Sequence, residues 1–303
     1  MRSLLIAVSA IALLSACSQP TSTAPPAPTA SAEDHSGHDH SGPVTITATP
    51  AGPMAAGQPV TLTLRLTDQN GAPIVPADLR MNHDHLLHVM VVDTGLEDYA
   101  HAHPTANADG TFTFTFTPRL DRPYRLWADF QLAHAEPESG HSHGDESHGD
   151  HSDGEETHAD HGEPTYASTD LAVGAGAVPA FAAPQSLRAE AGGLRFQLSL
   201  PSALQAGEAT QAQLAVVSAD GQPFTQLEPL MGAYAHIVGF NPGATTMLHV
   251  HPEGAAPANA AARGGPVISF TLEPQSPGPQ RLFVQVQANG AEIIVPFTVI
   301  VGQ

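Results

Sequence analysis

The second half of the sequence repeats the first, and this repeat limits the folds that the chain can adopt. The stretch AGQPVTLTLRLTDQNGAPI at residues 56–74 aligns with AGEATQAQLAVVSADGQPF at residues 206–224. The alignment continues through LLHVMVV and YAHIVGF, then AHAHP and LHVHP, and it ends with TDLAVG and FTVIVG. Because 303 residues are enough for two domains that each bury a core, we predict two tandem domains of one fold.

Short segments of strand character fill both units. VTITA, VTLTLRL, LLHVMVV, TFTFTFT and YRLWADF alternate apolar with polar residues or are rich in β-branched and aromatic residues, as is typical of strands. Gly, Pro, Asn and Asp separate them, and DQNGAP is a strong turn signal. No stretch shows helical periodicity over enough residues to predict a helix. About seven strands in each unit indicate an all-β protein made of two immunoglobulin-type β-sandwiches.

Changes of composition along the chain predict the domain boundaries. Residues 18–42 are rich in Ser, Thr, Ala and Pro, which is typical of a disordered tether, and AGAVPAFAAPQS has the composition of a linker. The predicted segments are a signal peptide (1–16), a tether (17–43), a first sandwich (44–174) with a histidine-rich insertion (134–164), a linker (175–186) and a second sandwich (187–303).

The chain begins MRSLLIAVSAIALLSAC, which is typical of a secretory signal. Its apolar run, Leu4 to Leu14, is too short to span a membrane as a helix. LSAC resembles the lipobox of bacterial lipoproteins, which implies cleavage before Cys17 and lipidation of that residue. Since Cys17 is the only cysteine, an anchor explains it better than a disulfide or a reactive thiol. We therefore predict a lipid-anchored protein on the periplasmic side of the envelope, and Ser18 favours the outer membrane over the inner.

The charge of the chain restricts its partners. There are 30 acidic and 10 basic residues, and the formal net charge is -20. Nucleic-acid binding requires a basic face, so we expect no nucleic-acid partner. A strongly negative protein attracts cations instead.

Two histidine triplets have the same spacing in the two units. In each unit the second histidine follows the first by 13 residues and the third follows it by 15, although the surrounding sequence has diverged. The triplets are His88, His101 and His103 in the first unit and His236, His249 and His251 in the second.

The spacing predicts that each triplet converges on one face of a hairpin. Residues i and i+2 of a strand share a face, and DTGLED is a plausible hairpin connection. If His88 pairs with His101 or His103 in an antiparallel register, all three rings lie on one side, where they can hold one ion at about 2.0–2.1 Å for zinc. Two other interpretations remain open. In one, each histidine is simply a half-buried strand residue with one hydrogen bond. In the other, the histidines form a hydrogen-bonded cluster that stiffens the hairpin without metal.

Further ligands are present near the triplets. His83 and His85 precede His88. In the second unit, Met231 lies five residues before His236, as His83 does before His88, and Met247 lies two residues before His249 on the same face of the strand. Imidazole suits zinc, copper and nickel, while thioether selects Cu(I), so nearby methionines favour copper. The simpler interpretation of a methionine in a strand is core filling.

The insertion in the first unit carries histidines mixed with Asp and Glu. Such a tract cannot pack a core, but it can wrap a divalent ion with modest affinity because ordering it costs entropy. It is also interpreted as a solvated acidic loop or as a pH-responsive one. The predicted low-affinity ligands are His141, His143, His148, His151, His158 and His161.

The segments LHVMVVDTGLEDYAHAHP, GAYAHIVGF and LHVHPEG resemble those of secreted bacterial β-sandwich proteins with histidine-rich metal sites, the YtkA-like and cupredoxin- or CopC-like immunoglobulin-type domains. The resemblance implies periplasmic or surface handling of copper or related metals. The sequence lacks the Cys ligand of blue-copper sites, which argues against electron transfer of that type.

Together these features predict a lipid-anchored, non-enzymatic periplasmic protein that buffers or delivers copper or zinc, with a metal transporter or chaperone as a partner. One alternative is an immunoglobulin-like interaction or structural module whose histidines are structural. A three-histidine metallohydrolase is a third hypothesis, for which the sequence supplies no defensible acid or base. Asp84 and Glu253 are merely near the triplets in sequence.

Overall fold

The computed structural model describes residues 43–82, 85–133, 164–250 and 252–303. Strands dominate these ranges, and the helical residues in them form two short 3₁₀ turns, Pro76–Asp78 and Pro242–Ala244. The predicted all-β class is therefore confirmed. Within the same ranges, no helix has the length and apolar composition that crossing a bilayer requires.

The first sandwich is built from ten strands of the described chain. They are β1 (Thr45–Pro50), β2 (Val60–Thr67), β3 (Pro73–Ile74), β4 (Leu79–Arg80), β5 (His88–Asp93), β6 (Tyr99–Ala102), β7 (Thr105–Ala106), β8 (Phe112–Phe116), β9 (Tyr124–Leu132) and β10 (Thr165–Leu171). One sheet has the order β1-β2-β8-β7 with β3 beside β2, and the other has the order β10-β9-β5-β6 with β4 beside β9.

The second sandwich repeats this plan. Its described strands are β11 (Arg188–Ala191), β12 (Leu194–Ser199), β13 (Leu204–Gln205), β14 (Thr210–Ser218), β15 (Leu227–Glu228), β16 (His236–Phe240), β17 (Met247–Val250), β18 (Val267–Leu272), β19 (Gly278–Ala288) and β20 (Ala291–Gly302). One sheet has the order β11-β12-β14-β18, and the other has the order β13-β20-β19-β16-β17 with β15 beside β19. The strands β5, β6 and β9 of the first sandwich thus correspond to β16, β17 and β19 of the second.

Each sandwich has its own apolar core, and alternation along the strands explains it. In β2 every second residue from Val60 to Leu66 is buried, while the residues between them are polar and more exposed. Leu62 and Leu64 pack in one cluster with Leu126 and Phe130 of the facing sheet. The second core is built in the same way, so the tandem β-sandwich prediction is confirmed.

A third apolar cluster joins the two sandwiches. Strand β5 is buried on both faces: Val89 and Val91 point into the first core, whereas Met90 and Val92 belong to the third cluster. Residues of β16 alternate in the same manner between the second core and this cluster. We call it the junction cluster; its buried members are Met90, Val92, Leu96, Tyr99, Val238, Phe240, Ala244, Met247 and Phe283.

The turn before β9 carries a hydrogen bond that is characteristic of immunoglobulin-type sandwiches. The backbone N–H of Leu120 donates to the hydroxyl of Tyr124 at 3.0 Å, and that hydroxyl donates to Asp98 Oδ2 at 2.5 Å. A tyrosine near the start of a strand that bonds the backbone a few residues upstream is the tyrosine corner of this fold. Through its two hydrogen bonds, the hydroxyl of Tyr124 links the loop before β9 to Asp98 in the β5–β6 hairpin, which carries the first histidines.

Candidate metal centre

Antiparallel hairpins position the histidines, as the spacing predicts. In the β5–β6 pair, Met90 lies opposite His101 and Val89 lies opposite Ala102. The same register continued by one residue pair places His88 opposite His103, which follows the last residue of β6. Since His88, Met90 and Val92 are two residues apart, the side chains of His88 and His101 point to the junction between the sandwiches.

The second hairpin repeats this register. In the β16–β17 pair, Val238 lies opposite His249 and Ile237 lies opposite Val250. His236 precedes Val238 by two residues on the same face, and Val238 belongs to the junction cluster. The histidines of the second sandwich therefore face those of the first.

The first triplet converges on a small volume. His88 Nδ1 lies 3.0 Å from His103 Nε2 and 3.4 Å from His101 Nε2. One nitrogen from each ring lies within 4.8 Å of the other two, which is close enough for a shared metal ion. His85, which the sequence predicted as a further ligand, stacks on His103 with ring centroids 3.5 Å apart. We call His88, His101 and His103 the first triad.

A second triad contains residues of both sandwiches. One nitrogen each from His101, His236 and His249 lies within 4.8 Å of the other two. The ring of His101 is 5.5 Å from that of His236 and 5.4 Å from that of His249, measured between centroids. The sequence predicted two separate triplets, whereas the structure brings five described histidines into one group in which His101 is common to both triads. His251 lies outside the described residues.

Backbone carbonyls orient the first histidine of each sandwich. His88 Nε2 lies 3.1 Å from the carbonyl oxygen of Asn82, and His236 Nε2 lies 3.0 Å from that of Leu230. In both units this carbonyl precedes the histidine by six residues. Because a carbonyl accepts and never donates, we assign the proton to Nε2 in both rings, which leaves Nδ1 as the ligand atom of the neutral side chain.

The second histidine of each sandwich is oriented from across the junction. His101 Nδ1 donates to Gln285 Oε1 at 3.2 Å, and His249 Nδ1 donates to Asp129 Oδ2 at 2.6 Å. Asp129 lies opposite His88 in the β5–β9 pair, and Gln285 lies opposite His236 in the β16–β19 pair. These bonds assign Nε2 as the ligand atom of His101 and His249.

Burial keeps the rings of the first triad neutral. His88 has an exposed fraction of 0%. Desolvation lowers the pKa of His88 to about 4, with a further contribution from His249, and lowers the pKa of His103 to about 2. Burial and the neighbouring histidines also hold the pKa of His101 well below its ordinary value. Neutral imidazole is the form that binds a metal ion, so the triad is ready to act as a ligand near neutral pH.

Of the two methionines predicted as extra ligands, Met247 has an apolar environment in the structure. Met247 is buried in the junction cluster, opposite Phe240 in the β16–β17 pair. Met231 lies in the turn before β16 with a φ of 50°. Glu253, which is near the second triplet in sequence, accepts hydrogen bonds from Gln211 and Thr271.

Several predicted residues lie outside the described ranges. For these the ligand and anchor assignments remain predictions. They are Cys17, His83, His141, His143, His148, His151, His158, His161 and His251.

Sequence reasoning missed Asp129 and Gln285. The signal that indicates them is in the internal repeat, where YRLWADFQ aligns with QRLFVQVQ and places the two residues at the same position. A polar residue at the same place between buried neighbours in two central strands indicates a buried hydrogen-bonding role.

Solved structures show low similarity to this chain. The red sea bream transglutaminase is 10% identical and covers 86% of this chain with a TM-score of 0.22, and this chain spans 31% of its length. Invasin, a bacterial integrin-binding protein, is 13% identical with a TM-score of 0.20, and the coverage is 84% of this chain and 39% of invasin. Domains 4 and 5 of the S-layer protein SbsC are 11% identical with a TM-score of 0.22, and the match covers 86% of this chain and 100% of those two domains. Likeness at this level carries no argument about function.

The sequence itself matches one family. A comparison with curated proteins finds no match. The profile of the family described as "Domain of unknown function (DUF8832)" matches residues 39–138 and 189–303, which together make up more than half of the chain and include both triads. The chain therefore belongs to the DUF8832 family.

Proposed function

We propose that the protein binds a copper or zinc ion in the histidine group at the junction of its two sandwiches, and that it buffers or delivers this ion without catalysing a reaction. One observation carries the proposal. Histidine rings from separate strands converge on one another. In four of these rings, one nitrogen donates a hydrogen bond to an oxygen outside the group, and this turns the other nitrogen, the ligand atom, toward the group. A hydrogen-bonded outer nitrogen is the usual companion of a metal-bound histidine.

One nitrogen–nitrogen distance in the first triad, between His88 and His101, matches the spacing around a metal ion. Nitrogens at about 2.0–2.1 Å from a tetrahedral zinc ion are about 3.3–3.4 Å from one another. His88 Nδ1 lies 3.4 Å from His101 Nε2 and 3.0 Å from His103 Nε2. In the neutral rings the assigned tautomers put no proton between His88 Nδ1 and His101 Nε2, so a cation there would relieve the repulsion of two lone pairs.

The donor set supports Zn²⁺ or Cu²⁺. Imidazole nitrogen suits both ions, whereas Cu⁺ prefers thioether and thiolate. The methionine nearest in sequence to His249, Met247, packs in the junction cluster with apolar neighbours. Imidazoles are therefore the donors on which the proposal rests.

The sequence supports a place for this binding in the cell envelope. A lipid on Cys17 would anchor the protein on the periplasmic side, in the outer membrane rather than the inner. The acidic chain would attract cations, and the histidine-rich insertion would act as a low-affinity reservoir beside the structured triads. A metal transporter or chaperone is the partner that we propose for delivery.

A structural role is the competing function, and one distance favours it. The 3.0 Å between His103 Nε2 and His88 Nδ1 also suits an N–H···N hydrogen bond between neutral rings. In that case the histidines would hold the hairpin and the junction together with no ion. The two functions differ in whether the histidines bind an ion at a defined ratio.

Metal titration tests the proposal. The chain without Glu136 to Glu163 is titrated with Zn²⁺, Cu²⁺ and Cu⁺ in competition with chelators, beside the variant His101→Ala. We expect tight binding of Zn²⁺ or Cu²⁺ at a defined ratio, and its loss in the variant because His101 belongs to both triads. Failure of the parent chain to retain any ion would leave the structural module as the better description.

A further inference from the structure

Asp129 is a buried carboxylate beside the histidine group. Its exposed fraction is 3%, and it lies on β9 of the first sandwich with Oδ2 at 2.6 Å from Nδ1 of His249 in the second. Within the described chain, its other oxygen, Oδ1, has no hydrogen-bond partner. A buried carboxylate is costly unless a positive charge compensates it.

His101 can serve only one ion at a time. Its Nδ1 is committed to Gln285, so Nε2 is the nitrogen that it offers to either triad. One imidazole nitrogen has one lone pair for coordination. The two triads are therefore alternative sites, and a chain that fills one leaves the other incomplete.

The outer acceptors distinguish the two triads. In the first triad, Asn82 and Gln285 offer neutral oxygens to His88 and His101. In the second triad, the partner of His249 is the carboxylate of Asp129. A carboxylate that accepts from a ligand histidine fixes its ring, raises its basicity and supplies negative charge to balance a buried cation.

From this asymmetry, and on the basis of the proposed function, we infer that the protein holds one ion in the second triad, His101, His236 and His249, and that Asp129 is the positioning residue of that site. The ion links the two sandwiches, because His101 and Asp129 come from the first and His236 and His249 from the second. Release of the ion then removes a bond across the junction.

The test measures the Zn²⁺ affinity of the full chain by competition with a chromophoric chelator. The chelator is strong enough to outcompete the weak sites predicted in the histidine-rich tract. We expect Asp129→Asn to lower the affinity by about 10- to 100-fold and Asp129→Glu to restore part of it. His236→Ala should abolish tight binding, whereas His103→Ala, which changes the first triad alone, should have little effect. In the Cu²⁺ form, the electron paramagnetic resonance spectrum should change in Asp129→Asn and stay unchanged in His103→Ala.

The outcomes separate the two proposals. Absence of tight binding in the parent chain contradicts the proposed function itself. Tight binding that is lost in His103→Ala but kept in His236→Ala and Asp129→Asn puts the ion in the first triad and overturns this inference alone. Binding of two tight ions per chain contradicts the alternative use of His101.

Discussion

Asp129 and Gln285 occupy equivalent positions in the two sandwiches and differ by one charge. Each lies on the strand next to the first histidine of its own unit, and each accepts a hydrogen bond from a histidine of the other unit. The junction thus has approximate two-fold character in its contacts, with a carboxylate on one side and an amide on the other. The electrostatic asymmetry of the site follows from this single difference.

Gln285→Glu is expected to make the site more favourable for a cation. A second carboxylate would accept a hydrogen bond from His101, so the Zn²⁺ affinity should rise by about tenfold or more. The metal-free protein should become less stable, because two buried carboxylates then lack a countercharge. Chelator competition and urea unfolding with and without Zn²⁺ measure the two effects. Gln213→Glu adds the same charge at an exposed position of β14 and should change neither quantity. Equal affinities of the two variants would contradict an electrostatic role for position 285.

The metal-free protein should lose stability as the pH falls from about 6.5 to about 4. The pKa of His88 is lowered to about 4 in the folded state by burial, whereas an unfolded histidine has a pKa of about 6.5. Between these values the unfolded chain binds more protons, so the free energy of unfolding rises with pH and is fully restored above about pH 6.5. For His88 alone the effect is on the order of 3 kcal/mol, and the lowered pKa values of His101 and His103 act in the same direction.

Urea unfolding in the presence of a chelator at several pH values measures this dependence. The variant His88→Gln keeps a donor for the carbonyl of Asn82 but has no titrating ring, so its stability should vary less over the same window. Parallel curves for the two proteins would show that the burial of His88 does not control the acid sensitivity.

Asp93→Ala should destabilise the hairpin that carries His88 and His101. Asp93 is fully buried, and its carboxylate accepts from the backbone N–H groups of Gly95, Glu97 and Asp98 and from Arg122. The substitution removes the partner of all four donors, so we expect a loss of about 3–5 kcal/mol in urea unfolding.

Asp170→Ala is the matched control for this loss. Asp170 pairs with Arg125 at the surface, and its side chain has an exposed fraction of 70%. Its removal should cost less than about 1 kcal/mol. Similar costs at Asp93 and Asp170 would show that the turn does not depend on its buried carboxylate.

Local patterns in the sequence were enough to predict most of the longer strands, though not the two-residue ones, together with the hairpin and the shared face of His88 and His101. Each of these depends on residues close in the chain, through the two-residue period of a strand and the length of a turn. The docking of the two sandwiches depends instead on what packs against the second apolar face of a strand such as β5. The run LLHVMVV, apolar at nearly every position, is typical of a strand buried on both sides, but it does not identify what covers the second face. For that reason, the place of His101 in both triads and the roles of Asp129 and Gln285 could be identified from the structure but were not predicted from the sequence.

Phe240→Ala should weaken metal binding by loosening the junction cluster, although Phe240 is not itself a ligand. Phe240 is fully buried in the junction cluster, where its ring centroid lies 6.2 Å from that of Tyr99 and 6.3 Å from that of Phe283. Removing its ring leaves a cavity between the sandwiches that costs about 3–5 kcal/mol in urea unfolding. Because the second triad takes ligands from both sides, looser docking should also lower Zn²⁺ affinity.

Phe196→Ala separates this effect from a general loss of stability. Phe196 is of the same size and has an exposed fraction of 1%, but it lies in the core of the second sandwich rather than at the junction. Its replacement should cost a similar free energy of unfolding, while Zn²⁺ affinity, measured at a temperature where both variants are folded, stays near that of the parent. A larger drop in affinity for Phe240→Ala than for Phe196→Ala supports an ion held between the sandwiches. Equal drops would mean that the affinity follows overall stability, and that the junction has no separate part in binding the ion.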